Sequence, residues 1–346
     1  MKKICAIDLF CGAGGLTHGL IKSGVDVVAG FDIEASCKHA YEHNNKGAVF
    51  YNEDVQNLKG YDLGKLYPSG CIRLLAGCAP CQPFSTYSQG RDVKNDKKWP
   101  LLYAFSSLID EMLPELVTME NVPDVTRHEV YHDFVSSLEE KGYKVWAKKI
   151  YCPDYGMPQG RSRHVLIASK IGEIKFIKPT RLPRNYKTVR DTIGRLPKLE
   201  AGQKDEKDSL HVAAGLSLLN MKRIRTSRPG GTWHDWPEDL KAECHRKSSG
   251  RGYVSVYARM SWDEPSPTIT TQSYGYGNGR FGHPQQHRAI SLREAAMLQT
   301  FPKSYQFVKP SEKVYFSSIG KMIGNAVPVA LGKAIGKSLL KSISSS

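Results

Sequence analysis

The chain has 346 residues, 40% of them apolar, with 49 Lys and Arg against 34 Asp and Glu for a formal net charge of +15. That apolar content excludes a disordered polymer and suffices for one large α/β domain or two domains. The longest early apolar run, Ile4 to Ile7, meets Asp8 too soon for a signal peptide or a membrane helix, so a cytoplasmic protein without membrane association is expected.

In chain order, Lys3 to Phe10 reads as a strand, then a Gly-rich turn and a helix to about Ser23. Val25 to Phe31 is the second strand and Glu34 to Asn44 the second helix. Further strands are expected at Arg73 to Ala76, Leu116 to Met119, Tyr143 to Ile150 and Val165 to Ala168, with helices at Leu101 to Met112 and Glu129 to Lys141. Strands alternating with helices imply an α/β fold with a doubly wound, mainly parallel sheet. From about Pro179, Pro, Gly, Trp and Tyr recur among basic residues, which predicts loops and short strands on a smaller, irregular domain. Order resumes at Ser291-Leu292-Arg293-Glu294, a capping-box pattern, and a final helix over Val327 to Leu340 is expected to return to the first domain.

Charge is uneven along this course. Residues 1–180 carry 22 basic against 21 acidic side chains, residues 181–290 carry 19 against 11, and residues 291–346 carry 8 against 2. The excess lies downstream, as for a face that meets a polyanion, although a solvated basic surface has the same composition. The eight cysteines follow no disulfide framework or zinc spacing, so reduced thiols and no metal are expected.

Two segments carry chemistry. Asp8-Leu9-Phe10-Cys11-Gly12-Ala13-Gly14-Gly15 joins the first strand to the first helix, where glycines allow a tight turn and close ligand approach. A dinucleotide turn is one reading, but Thr17 stands where that fingerprint needs its third glycine. Asp32 and Asp54, at successive strand ends, can accept from ribose hydroxyls and an adenine amino group, which favours S-adenosylmethionine. The second segment, Cys78-Ala79-Pro80-Cys81-Gln82-Pro83-Phe84-Ser85, closes a buried-strand pattern with a thiol in a loop. Cys78-x-x-Cys81 has thioredoxin-like spacing, but Pro83 would strain the helix such a site requires, and Cys78 reads as a strand-end core residue.

With Glu120-Asn121-Val122, Gln159-Gly160-Arg161-Ser162-Arg163, Arg293-Glu294 followed by Leu298 to Pro302, and Gly324-Asn325-Ala326-Val327-Pro328, these segments form an ordered set. Over nearly its whole length the chain resembles the DNA cytosine-5 methyltransferases of bacterial restriction-modification type. The resemblance implies a Rossmann-like methyltransferase fold over residues 1–180, completed by 286–342, with a target-recognition domain over 181–285. It implies that S-adenosylmethionine is held by Phe10, Gly12, Gly14, Gly15, Leu16, Asp32, Ile33, Asp54, Val55, Pro80, Leu101, Asn325 and Val327. Cys81 is the implied nucleophile: its thiolate adds to C6 of cytosine and makes C5 able to attack a methyl group. Glu120, after an apolar strand, is expected to be shielded from water, which favours the neutral acid that can donate towards N3. Arg163 is expected to orient base and thiol, with Arg161 supporting the same site.

A carbon inside a duplex is out of reach, so the cytosine must be flipped out, with the loop from Gln82 to Lys98 as the implied lid. Implied DNA contacts are Gln82, Ser85, Arg225, Arg228, Arg251, Arg259, Gln272 and Arg280, while Trp233, Trp236 and Trp262 read as small-domain core. Double-stranded DNA is the implied partner, a monomer is expected, and pairing with a restriction endonuclease follows from the resemblance. The chain departs from the family at Cys78-Ala79, where glycine and a larger residue are common, and at Val55, where isoleucine is frequent. A tRNA methyltransferase of the same fold is the alternative, but the Cys-Phe-Thr tripeptide of those relatives is missing. A DNA-binding protein with decayed catalysis is disfavoured because every implied catalytic side chain is present.

Overall fold

The computed structural model describes residues 2–80, 99–247, 250 and 252–344. They form two compact units: Met1–Tyr155 with Ser162–Pro179 and Ala326–Ser346, and Gly156–Arg161 with Thr180–Asn325.

The first unit is built on seven strands: β1 (Ile4–Leu9), β2 (Asp26–Phe31), β3 (Val49–Tyr51), β4 (Ile72–Gly77), β5 (Leu116–Asn121), β6 (Lys144–Tyr151) and β7 (Ser162–Ser169). Their order is β3-β2-β1-β4-β5-β7-β6, with β1 to β5 parallel and β7 antiparallel to both neighbours. The mainly parallel, doubly wound sheet read from the sequence is present. β1 and β5 are buried at every position, as strands covered on both faces must be. The helices are α1 (Gly15–Ile21), α2 (Lys38–Asn44), α3 (Gly60–Gly64), α4 (Trp99–Met112) and α5 (Glu129–Glu140). The second unit holds α6 (Val189–Ile193), α7 (Leu218–Thr226), α8 (Glu243–Arg246), α9 (Leu292–Leu298) and α10 (Phe316–Asn325), and α11 (Val329–Ser344) belongs to the first.

α11 lies against α1, and glycines set the approach. A Cβ on Gly19 would collide with Val329 O and stand 2.6 Å from Lys333 N, and one on Gly332 would stand 2.9 Å from Leu16 O. The helix behind the Gly-rich turn is therefore braced by residues far along the chain. No helix among the described residues is long and apolar enough to cross a membrane.

The second unit corrects the expectation of short strands. Among the described residues its extended segments meet only as isolated bridges, Arg259 with Gly282, Gly282 with Ala289, Lys204 with Val212 and Gln159 with Ser266, and α7 occupies a stretch read as loop. Trp233 and Trp236 are core, packed with Ile224, Leu240, Tyr276 and Ala289, whereas Trp262 is only half-buried. Polar groups finish this core: Trp236 Nε1 donates to Ser227 Oγ at 2.7 Å and Trp233 Nε1 to Tyr253 O at 2.9 Å.

The capping box at Ser291 forms as read. Ser291 Oγ accepts from Glu294 N, and Glu294 Oε2 accepts from Ser291 N at 2.7 Å. Arg288 adds bidentate bonds to Glu294 at 2.7 and 2.8 Å, with both side chains fully buried. Burial alone would push the Glu294 carboxyl up, but the Arg288 bonds and charge overcome it and hold it at about 2. Burial likewise depresses His283, 3.8 Å from Glu294, to about 4, so the imidazole is neutral near pH 7. A depressed carboxyl contributes stability that is complete above its ordinary value of 4.5 and is lost as pH falls towards 2. Glu294→Gln should therefore destabilise the protein at pH 7 by about 3–5 kcal/mol, because Arg288 is left buried and unpaired. Urea midpoints measured from pH 7 down to pH 3 should show this loss, with a shallower acid decline than in the parent.

Candidate active site

The carboxyl ends of β1, β2 and β4 lie side by side, with the topological switch point between β1 and β4. The chain leaves β1 through a loop of left-handed residues: Phe10 at φ 57°, Gly12 at φ 50° and Gly14 at φ 86°. Phe10 holds a conformation that costs a non-glycine residue of order 1–3 kcal/mol, so the loop is fixed by its surroundings. Cys11 N donates to Phe31 O at 3.1 Å, and Gly12 N donates to Asp32 Oδ2 at 2.8 Å. Asp32 also accepts from Glu34 N at 2.8 Å, which aims its carboxylate at the turn. Asp54 accepts from Gln56 N at 3.0 Å and opens the turn after β3, with Val55 buried beside it.

Ile33, next to Asp32, exposes 68% of its surface, an apolar face left to solvent at this edge. Gly15 and Leu16 open α1 and are buried; Pro80 and Leu101 are half-buried. Asn325 is exposed at the end of α10 and Val327 is buried just before α11.

The residue in place of the third fingerprint glycine has its own task. Thr17 is fully buried, and its Oγ1 donates to Asp8 Oδ2 at 2.6 Å. Tyr41 Oη lies 3.1 Å from the same hydroxyl. Gly14, the N-cap of α1, has no side chain to offer, so Asp8 reaches from β1 to the first turn of the helix. Burial pushes the Asp8 carboxyl up to about 7 against the bonds from Thr17.

At the next two strand ends the geometry tightens. β5 runs two residues beyond the apolar stretch, so Glu120 lies within the strand, only 3% exposed. Because β7 is antiparallel, its first residues lie beside the last residues of β5, with Glu120 opposite Val165 and Asn121 opposite His164. Arg163 Nε thereby stands 3.0 Å from Glu120 Oε1 in an ion pair, without the alignment of a hydrogen bond. On the other side Cys78 Sγ donates to Glu120 Oε2 at 3.0 Å. Cys78 N donates to Leu9 O, and Asn121 Nδ2 donates to Ala79 O at 3.3 Å, so the chain entering the Pro80-Cys81 segment is tied to both neighbouring strands. Cys78 is thus half-exposed and bonded to the acid, where the sequence read a core residue. Cys81, Gln82, Ser85 and Arg251 lie outside the described residues.

Arg161 and Arg163 part company. Arg161 Nη1 donates to Ile269 O at 3.1 Å and approaches Gln159 Oε1 at 3.4 Å, within the second unit. Gln159 is its companion there: its Oε1 accepts from Ile269 N, and its Nε2 donates to Leu298 O and Gln299 Oε1. Arg163 faces Glu120, while Arg161 bonds Ile269 within the second unit.

The C-5 cytosine-specific DNA methylase model matches residues 4–341. The chain belongs to that family. It is 55% identical over 330 residues to the Type II methylase M.HgiDII of Herpetosiphon aurantiacus, covering 94% of this chain and 92% of that protein. The Type II methyltransferase M1.HphI of Haemophilus parahaemolyticus is 32% identical, with 97% and 86% covered. Among solved structures, the Entamoeba histolytica methyltransferase EhMeth shares the fold, with a TM-score of 0.67, 15% identity and 99% of each chain covered.

In this cytosine-5 methylase one implied DNA contact needs correction. Arg259 is 2% exposed, and its five N–H groups meet Ile224 O twice, His283 O, Gln286 O and His287 Nδ1 at 2.7–3.2 Å. A guanidinium so placed is internal scaffolding and has no donor left for DNA. Arg225, Arg228 and Gln272 are exposed and Arg280 is half-exposed, with Arg228 3.3 Å from Asp235.

Removing the Thr17 hydroxyl leaves the buried Asp8 oxygen without its bond. Thr17→Val should cost about 1–3 kcal/mol, read as a lower urea midpoint. A raised carboxyl contributes stability that is complete below its ordinary value of 3.8 and is lost as pH rises through about 7. The defect should therefore deepen as pH rises from 6 to 8.

Proposed function

We propose that this methylase transfers a methyl group from S-adenosylmethionine to C5 of a flipped-out cytosine in a short, specific duplex sequence, through a covalent Cys81–C6 intermediate. The observation that carries this reading is Glu120: a carboxyl 3% exposed, at the carboxyl edge of a parallel sheet, gripped by Arg163 and one strand from the Pro80-Cys81 segment. A carboxyl so placed can face N3 of a base.

The residues at the β1 and β2 ends fit the cofactor. Gly12, left-handed and with the site of a Cβ 4.0 Å from Asp32 Oδ2, leaves the backbone open to a ligand. Asp32 and Asp54 offer acceptors to hydroxyl and amino groups, and the exposed Ile33 offers an apolar face to a purine ring. Phe10, Gly14, Gly15, Leu16, Val55, Pro80, Leu101, Asn325 and Val327 complete the proposed set. Bound there, S-adenosylmethionine supplies an electrophilic methyl group on a sulfonium.

The chain's own residues do the rest. The Cys81 thiolate forms a bond to C6 as the C5–C6 double bond opens, and charge reaching N3 is met by the Glu120 proton. Arg163 keeps the Glu120 carboxyl facing the base. C5, so activated, would take up the methyl group that the bound cofactor supplies. Loss of the C5 proton to solvent and departure of the Cys81 thiolate restore the double bond, and the N3 proton returns to Glu120. Because C6 is out of reach in stacked duplex, the cytosine is extruded first.

The second unit, with Arg225, Arg228, Gln272 and Arg280 at its surface and Arg251, is proposed to read the target, with Gln82 and Ser85 contacting the flipped nucleotide. The likeness to a Type II methylase over nearly full length supports a restriction-modification setting and a cognate endonuclease.

Duplex DNA carrying 5-fluorocytosine should trap the protein as a covalent adduct, because fluorine cannot leave as a proton does. With cofactor present, the adduct should survive denaturing electrophoresis and vanish in Cys81→Ala, which should still bind DNA. Absence of adduct at the methylated site, located by bisulfite sequencing, refutes the mechanism. Methylation of tRNA in preference to duplex DNA refutes the substrate.

A further inference from the structure

Glu120 is held from two sides by donors of unequal strength. Arg163 brings a charged guanidinium to Oε1 at 3.0 Å, and Cys78 brings a thiol to Oε2 at 3.0 Å. A thiol is a weak donor, so of these two contacts the one at Oε2 is more easily exchanged for another partner. The thiol is also fixed in space: Cys78 N donates to Leu9 O at 3.3 Å and the next residue is held by Asn121.

We propose that Cys78 is a positioning residue for Glu120, holding Oε2 ready by a bond weak enough to yield when the cytosine arrives. The inference rests on the reading of Glu120 as the group that meets N3. Oε2 is then the oxygen presented to the base, while Oε1 stays with Arg163. Among the described residues, the other charged or titratable groups on elements packed against this end of β5 are His164 on β7, bonded to Tyr131 of α5, and Asp124 with Arg127 on the following turn.

Replacing the thiol by a stronger or an absent donor should move the pH dependence in opposite directions. A hydroxyl bonds a carboxylate more firmly and favours the charged form, so Cys78→Ser populates the neutral acid only at lower pH. Cys78→Ala removes the donor and shifts the same limb to higher pH. The test is single-turnover methyl transfer on preformed enzyme–DNA complex from pH 6 to 9, with both variants made in the parent and in Glu120→Gln. At pH 8, Cys78→Ser should be slower by about tenfold, one pH unit of lost acid, with the KM for DNA within about twofold of the parent. Acidification should rescue Cys78→Ser and not Cys78→Ala, and both effects should disappear in Glu120→Gln. Shifts in the same direction, an unshifted profile, or effects that persist in Glu120→Gln overturn the inference alone. A parental rate in Glu120→Gln overturns the reading of Glu120 and this inference with it.

Discussion

The reversal of one strand organises the catalytic unit. In a wholly parallel sheet the start of a strand lies at the edge opposite the end of its neighbour, some five residues away. β7 enters against β5 the other way round, so Ser162 and Arg163 begin where Glu120 and Asn121 end. A cation from one segment and a carboxyl from another, 43 positions apart, meet because the ladder leaves them nowhere else to be. The same edge holds the exits of β1 and β4, so the Gly-rich loop, Cys78 and the acid share one rim.

The basic excess is less of a DNA-binding signal than its size suggests. In the second unit Arg259 and Arg288 are fully engaged inside, and Arg223 is buried with its guanidinium over Trp236 and Tyr257 at 5.4 and 5.2 Å. Arg293 pairs with Asp208 at 2.6 Å. These cations stand where a larger domain would place apolar side chains, and they tie together segments with few regular hydrogen bonds of their own. Those left outside include Arg225 and Arg228.

Apolar-run patterns made β1, β4 and β5 readable to within two residues, because burial on both faces leaves little room for anything else, while β7 begins three residues before the stretch read for it. The extension of β5 through Glu120 and Asn121 was not readable, since polar residues end a hydrophobic run whether or not the ladder continues. α10 was hidden by Gly320 and Gly324, which weaken any helical pattern. Their reason is tertiary: a Cβ on Gly320 would stand 2.5 Å from Thr271 O, and one on Gly324 2.6 Å from Thr271 Cα. α7 was hidden because its inward face pairs Ile224 with an arginine. At the site, Asp32 was singled out by its place at a strand end and Glu120 through the resemblance. The bond from Arg161 to Ile269 was not legible, since nothing in the short motif it shares with Arg163 marks that partner. Thr17 and Cys78 were visible only as departures from patterns, and what each departure does required the partner across the strand.

The glycine-lined contact between α1 and α11 bears on how the molecule is made. Gly19 receives the backbone of Val329 and Lys333, which leave the ribosome about three hundred residues later, roughly 15–60 seconds at ordinary elongation speeds. Until then the helix behind the Gly-rich turn lacks the surface it was shaped for. A nascent chain can thus assemble its first strands early yet seat α1 against its partner helix only after Val329 and Lys333 have been made.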